Sequence, residues 1–418
     1  MRVALIAIGS TGDTQPMALL GKELMKHGHQ AQLFAFSALE PLAIRAGLPF
    51  QALPGDAARF IGGIMRPGAS PFTYFKRMHE SLDGTIEPLL DEIYKAFQGA
   101  DAVVCTFFGA TPYAMAEKTG TVFFQVNFSP IDPTGQYGIP VMRTLPLGHS
   151  FNQALYRLAY RMIGAVERRY AHPWCAQKGV VKRPGGSKPD YRIGERRVPV
   201  LYAFSEHVVP RAPEWSEAVH EIGFFFEDSH GFAPSAALSS FLDRKPAPIY
   251  IGFGSMPSCD EQKTLCALLD ALVKTKLRAI LAPGWSDMCS AEFPSHIHCE
   301  DKFVPHDWLF PKVQAVVHHG GAGTTASGLR AGVPTLIVPH GGDQFFWGER
   351  VYSLGCGPKP LPFLKLTGSS LANRLEKLVS NASYRRNAVR MGALLREESG
   401  ILRAVKMIEQ ELNDTKLH

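Results

Sequence analysis

The chain is predicted to be an α/β protein of two doubly wound parallel-sheet domains facing each other across a cleft. Three observations predict this. Its 418 residues exceed what one hydrophobic core usually serves. Short apolar, β-branched runs alternate with amphipathic helical stretches in both halves. A segment holding Pro210, Pro213, Pro234, Pro246 and Pro248 among Gly and Ser separates them. The expected division is an N-terminal domain over 1–215, a linker region over 216–246 and a C-terminal domain over 247–398.

In the N-terminal half, Arg2 to Ile8 reads as a buried first strand. It stops at Gly9-Ser10-Thr11-Gly12-Asp13, too early for a signal-peptide core. A helix is expected over Gln15 to Gly28, with Pro16 in its first turn. A strand follows at Ala31 to Ala35, a short helix near Glu40 to Ala46 and a strand at Ala102 to Cys105. Two aromatic-rich amphipathic regions, Phe60 to Phe97 and Ile139 to Trp174, suit helices that wall an apolar pocket or pack on the sheet. Past the linker come strand Pro248 to Phe253, helix Glu261 to Lys274 and strand Arg278 to Leu281. Then follow strand Val313 to Val317, helix Thr325 to Arg330, strand Thr335 to Val338 and helix Gln344 to Leu354. Ser369 to Leu412 reads as helical.

Composition narrows the function classes. Hydrophobic residues make up 45% and charged residues 20%, as in ordinary globular proteins. The net charge of +6 comes with short basic clusters such as Arg196-Arg197 and Arg385-Arg386, without interleaved aromatics, so a nucleic-acid surface is not expected. The charge favours weak attraction to anionic membranes or to anionic donors. No apolar run approaches the ~20 residues of a bilayer span, so membrane contact would be peripheral. Seven scattered cysteines with no C-x-x-C pair point to a reducing, cytoplasmic setting.

The chemistry concentrates in turns that follow strands. His318-His319-Gly320-Gly321-Ala322-Gly323-Thr324-Thr325 puts glycine backbone, imidazoles and hydroxyls where a strand gives way to a helix, which makes an anion site. His319 and Ser255 suit a β-phosphate, with the Gly254 turn allowing close approach. Thr324, the Gly321 and Gly323 backbone and, less firmly, Thr325 suit the α-phosphate. Donors fixed at a departing pyrophosphate stabilise the transition state with no metal or other cofactor required. Asp343 and Gln344 can bond vicinal hydroxyls of a hexose, and Asp343 can also cap the following helix. For a nucleobase, the loop at Val304 offers backbone groups, and Trp285 or Trp308 can stack. His296 and His298 beside Glu300 match no standard zinc spacing and read as a strand edge. Ser10, Thr11 and Gly12 lie in the first turn of the N-terminal half, where the G-x-G-x-x-G spacing fails. Asp13 there can accept the proton of an acceptor hydroxyl, or serve as a helix cap.

Taken together, the segments GSTGDTQP, YIGFGSM, FVPHDWLFP, HHGGAGTT, GVPTLIVPHGGDQFFWGERV and LGCGP resemble the family 1 UDP-glycosyltransferases. The sterol glucosyltransferases are the nearest branch, followed by antibiotic and rhamnolipid glycosyltransferases. The resemblance implies a GT-B fold of two Rossmann-like domains, with the donor in the C-terminal one and the acceptor in the N-terminal one. It also implies a last helix, about 399–418, that crosses back to the first domain. The implied reaction is inverting: a hydroxyl of a small apolar acceptor attacks a UDP-sugar, with Asp13 as base. Plant relatives place a histidine at Asp13 and a partner aspartate after a later strand; here Val104-Cys105-Thr106-Phe107 holds no aspartate. Ser327 stands where plant members have a ribose-binding glutamate, leaving UDP or dTDP open. The alternatives are a sugar-nucleotide epimerase or hydrolase and a silent sugar-nucleotide-binding protein. The sequence is compatible with a monomer or a dimer.

Overall fold

A computed structural model describes residues 1–56, 84–106, 109–140, 148–183, 190–229, 231–254, 261–282 and 293–416. The N-terminal sheet holds β1 (Arg2–Ile6), β2 (Gln30–Phe36), β3 (Phe50–Leu53), β4 (Ala102–Cys105) and β5 (Val122–Asn127). A small antiparallel pair, β6 (Arg192–Ile193) and β7 (Arg196–Arg197), precedes its last members, β8 (Val200–Tyr202) and β9 (Val219–Glu221). The sheet order is β3-β2-β1-β4-β5-β8-β9, all parallel. A second parallel sheet holds β10 (Ile249–Gly252), β11 (Ala279–Ala282), β12 (Ile297–Cys299), β13 (Ala315–His318) and β14 (Thr335–Ile337), in the order β12-β11-β10-β13-β14. Each sheet reverses direction beside its own first strand, between β1 and β4 and between β10 and β13. Crevices at such switch points are where ligands of doubly wound folds bind.

The helices are α1 (Thr11–Lys26), α2 (Glu40–Ala46), α3 (Ile86–Gly99), α4 (Thr111–Thr119), α5 (His149–Lys178), α6 (Ala236–Asp243), α7 (Glu261–Thr275), α8 (His306–Leu309), α9 (Ala322–Arg330), α10 (Gln344–Ser353), α11 (Gly368–Ser380), α12 (Ala382–Arg396) and α13 (Gly400–Lys416). Fully buried strands such as β4 and β5 require cover on both faces, and these helices supply it. In α5 the inward stripe includes Tyr156, Gly164, Glu167, Ala171 and Trp174. The Glu167 carboxylate accepts from the Ala110 N–H at 2.6 Å and the Thr111 N–H at 3.0 Å, capping α4 from a neighbouring helix. The aromatic positions 57–83 and 141–147, expected near a pocket, lie outside the described residues.

The chain returns to its beginning. Helix α13 packs on α1 and β5, burying Ala404, Val405, Ile408 and Leu412 in the same cluster as the first sheet. One oxygen of Glu409 lies 3.1 Å from His29 Nε2 and 3.3 Å from His27 Nδ1. Between the halves, Trp347 is fully buried, 5.8 Å from the Phe224 ring and 6.3 Å from the Phe204 ring. Arg350 Nε donates to the Val208 carbonyl at 2.9 Å.

Four expectations need correction. α1 begins at Thr11, so Pro16 is its sixth residue rather than part of the first turn, because Ser10 and Asp13 start the helix early with a reciprocal cap. The 216–246 segment is not simply a linker: it supplies the edge strand β9 and helix α6. The last helical stretch is three helices, broken at Asn381 and after Arg396. Cys299 is disulfide-bonded, against the reduced set expected, while Cys105, Cys175, Cys266 and Cys356 are free. Among the described residues no helix is long and apolar enough to cross a membrane.

Candidate active site

Strand β13 is buried along its whole length and delivers His318 to the cleft end of the second sheet. Gly320 then adopts φ 101°, a left-handed conformation that turns the chain into α9 at no steric cost. Gly321 is the helix N-cap and has no side chain to occupy the first N–H groups. At Gly323 a Cβ would meet nothing within 4 Å, so the first turn opens onto free space. Thr324 is half-buried beside it. Thr325 departs from expectation: it is fully buried and its hydroxyl donates to the Gly321 carbonyl at 2.9 Å, so it locks the turn and faces no ligand.

Four imidazoles surround this turn. His318 Nδ1 accepts from the Gly320 N–H at 3.0 Å, leaving its Nε2 buried without a partner. His319 Nδ1 is likewise buried and unpartnered. Its ring packs against Gly254 at the end of β10, with Cε1 3.6 Å from where a Cβ would sit. His340 Nδ1 lies 3.1 Å from the Val338 carbonyl, and its Nε2 is unpartnered. His306 stacks on Phe310. Burial, then the mutual repulsion of His340 and His306, pushes His319 down to about 3. Burial pushes His340 and His306 down to about 4 and His318 well below the ordinary histidine value. All four are therefore neutral near pH 7, so they act as hydrogen-bonding groups rather than as fixed cations. Buried polar atoms left unpaired in a native fold are uncommon and call for a ligand or water.

Asp343 stands at the N-cap of α10, but its side chain makes no capping bond. Its Oδ2 accepts from the Trp347 indole N–H at 3.0 Å, one helical turn on, and burial pushes its carboxyl up to about 6. The negative charge of Asp13 adds to that rise, which brings the N-terminal half into the site. Gln344 differs from expectation: it is buried, and its amide oxygen accepts from the His340 N–H at 2.8 Å and the Gly341 N–H at 3.3 Å. That oxygen shapes the turn that presents Asp343.

Across the cleft, Asp13 is the third residue of α1. Its Oδ2 accepts from the Ser10 N–H at 2.7 Å and the Ser10 hydroxyl at 3.1 Å, while Ser10 Oγ accepts from the Gly12 N–H at 3.0 Å. Thr11 and Gly12 are exposed in the same turn. Gly9 makes room for the carboxylate, since a Cβ there would lie 2.1 Å from Asp13 Oδ2. Burial raises the Asp13 carboxyl above the ordinary aspartate range, opposed by the bonds from Ser10. The capping and cleft-facing readings thus hold together. Helix α1 also touches α9, bringing the two strand-to-helix turns face to face.

At the base end, Val304 is half-buried and Phe303 is exposed under the Arg45 guanidinium of α2, 4.7 Å from the ring centroid. Trp308 is committed elsewhere: Phe232 meets its ring edge-on at 5.1 Å and the Lys312 ammonium lies over it at 4.0 Å, so it is not open for stacking. Asp307 anchors this loop by accepting from the Ser229 N–H at 2.6 Å. Ser255 and Trp285 lie outside the described residues. Three contributors were not in the expected set. Trp347 was legible in principle from its i, i+4 spacing to Asp343, but His340 and the unpartnered buried hydroxyl of Thr14 carry no spacing signal.

A sterol 3-beta-glucosyltransferase of Arabidopsis thaliana is 31% identical over 430 residues, which span 99% of this chain and 68% of that protein. The chain belongs to the family 1 glycosyltransferases. A second such enzyme from the same plant is 31% identical over 440 residues, 100% of this chain and 66% of that one. The sterol 3-beta-glucosyltransferase of Pichia angusta is 32% identical, but the chain spans 98% of its own length and 33% of that protein. This glycosyltransferase chain thus matches about two thirds of its plant relatives and a smaller share of the fungal ones. Residues 267–398 match the family described as Erythromycin biosynthesis protein CIII-like, C-terminal domain. In fold, the glycosyltransferase resembles the glycotransferase of kitacinnamycin, with a TM-score of 0.70, 16% identity and coverage of 98% and 99% of the two chains. The Streptomyces sp. SF2575 glycosyltransferase SsfS6, complexed with thymidine diphosphate, superposes with a TM-score of 0.63 at 18% identity over 98% and 99%. The architecture is accordingly GT-B.

Proposed function

We propose that this protein moves glucose from UDP-glucose to the hydroxyl of an apolar acceptor such as a sterol, a lipid or a polyketide- or flavonoid-like molecule, with inversion and without a metal. The observation that carries the reading is the pairing across the cleft. On one side the unpartnered His319 nitrogen stands at an uncapped helix N-terminus; on the other is Asp13, whose charge reaches Asp343. The diphosphate lies at the first turn of α9, where the Gly323 and Thr324 N–H groups and His319 donate to its oxygens. Asp343 holds the hexose hydroxyls, oriented by Trp347.

As the acceptor oxygen attacks the anomeric carbon, its proton passes to the Asp13 carboxylate and the bond to the β-phosphate oxygen breaks. The bonds from Ser10 hold Asp13 in place and favour its ionised form, while burial makes it a stronger base than a solvated aspartate. Negative charge grows on the departing diphosphate, where neutral imidazole and backbone donors are already aimed. The thymidine diphosphate of the SsfS6 complex and the sterol glucosylation named for the plant relatives support this donor class and acceptor class. We further propose that the protein works alone or as a dimer, with a peripheral contact to the membrane that holds its acceptor.

Incubation with UDP-glucose and a panel of sterols, lipids and flavonoids, followed by mass spectrometry, tests the reading. A hexose-added acceptor is expected. UDP release or sugar epimerisation with no acceptor product would replace it with the epimerase or hydrolase reading.

A further inference from the structure

Helix α5 runs for 30 residues and carries one kind of charge outward. Arg157, Arg161 and Arg168 recur at helical spacing on its exposed side, with Arg169 beside them. Next to that row runs an apolar one of Leu155, Leu158 and Met162, in which Leu158 is 52% exposed. The helix contains a single acid, Glu167, and that residue points inward to cap α4. Acids reaching α5 from its neighbours meet its two ends and its inward side, not the arginine row. Asp91 takes the Trp174 indole at 2.9 Å and the Lys178 ammonium at 2.8 Å. Glu214 takes His149 at 2.9 Å, the Gly135 N–H and the Thr134 hydroxyl. Arg157 makes only a long 3.5 Å bond to the neutral Gln153, and Arg169 lies over the Tyr170 ring. Among the described residues no carboxylate pairs with any of the four arginines.

A helix face meant only for water mixes both signs of charge. One that bears guanidinium groups in a row, an exposed leucine alongside and no outward acid suits a surface of phosphates over hydrocarbon. Guanidinium forks match phosphate oxygens, and the apolar row can sink among acyl chains. We infer that the outer face of α5 docks the protein on an anionic lipid bilayer. The inference gives a place to the peripheral contact proposed above and makes no use of the transferase reading, because binding is measured without donor or turnover. It also orients the molecule: α5 belongs to the half assigned to the acceptor, so docking would set that half against the phase in which an apolar acceptor dissolves.

The test is co-sedimentation of the whole protein with vesicles of phosphatidylcholine containing phosphatidylglycerol, against vesicles of phosphatidylcholine alone. Binding to the anionic vesicles is expected to fall as salt is raised. Each arginine near the surface should contribute about fivefold, so the triple variant Arg157→Gln, Arg161→Gln, Arg168→Gln should lose on the order of 100-fold. Leu158→Gln should weaken binding less and leave its salt dependence unchanged. Unaltered thermal unfolding and circular dichroism would show that the variants remain folded. Anionic binding that the triple variant leaves intact would overturn the assignment to α5 while keeping a membrane contact elsewhere. Equal binding to both vesicle types would overturn the anionic docking, and no binding to either would overturn the bilayer contact altogether. Self-association of the protein that the same variant reverses would assign the face to a second copy and overturn the bilayer.

Discussion

The two halves place the same kind of turn after a strand at the switch point of its sheet, the first strand in one half and the fourth in the other, and use it in opposite ways. After β1, the helix N-terminus of the N-terminal half is filled by the protein's own anion: Asp13 sits in the first turn of α1, bound by Ser10. After β13, the C-terminal half leaves the N-terminus of α9 without any side-chain cap and surrounds it with unpartnered imidazole nitrogens. A helix N-terminus attracts negative charge in either case. Where the sequence supplies the anion, the turn becomes a fixed carboxylate; where it withholds one, the turn becomes a receptor. On the proposed reading, the first half acts on a ligand and the second holds one.

The comparison can be broken at several points, the largest effect first. Asp13→Asn retains a capping side chain but removes the base, so turnover should fall by roughly 10²–10⁴ with donor affinity kept. Single-turnover product formation alongside calorimetry with UDP would show it, and near-normal turnover would remove Asp13 from the chemistry. Gly323→Asp gives the second half the internal anion that the first half already has. The position has room, so the fold should persist with equal or slightly higher melting temperature, while UDP binding weakens on the order of 100-fold from like-charge repulsion. Unchanged UDP affinity would mean the diphosphate does not bind there.

His319→Ala removes one donor to a charged oxygen and should cost about 10- to 100-fold in UDP affinity. The smallest effect concerns pH. Asp13 must be ionised to accept a proton, and its pKa is raised, so the rate should fall on the acid side. Asp343, pushed up to about 6 in part by the charge of Asp13, is already largely protonated where Asp13 titrates, so Asp343→Asn should leave the acid limb of the residual activity in place. The same variant bears on stability. Because the folded-state pKa of Asp343 is raised to about 6, its contribution is present in strong acid and lost as pH climbs through about 6. The Asn variant should therefore gain on the wild type in urea midpoint across that interval and match it below.

Much of this was legible beforehand because period and turn chemistry are local. The alternation of strands and helices and the glycine turn at His318 to Thr324 follow patterns visible along the chain, whereas the return of the last helix came only from the family resemblance. Side-chain direction is not local. Thr325, Gln344 and Trp308 are the right residue types in the right segments, yet Thr325 and Gln344 turn their polar groups back on backbone four residues away and Trp308 meets Lys312 and the distant Phe232, choices of rotamer that spacing does not reveal. The early start of α1 was missed for a related reason. The reciprocal bond between Ser10 and Asp13 outweighed the signal of Pro16, which the sequence alone invites one to read as a helix start. The edge strand β9 is three residues long, too short for periodicity to mark within a Pro-rich stretch.

The packing of α13 against α1 and β5 bears on how the chain reaches its native state. The surface that completes the first domain is made of residues 400–416, so a nascent chain whose first sheet has already emerged still lacks one wall of its core. The domains therefore cannot mature strictly in order of synthesis. Until the final helix arrives, the apolar flank of α1 that it covers stays exposed and free to stick to other chains.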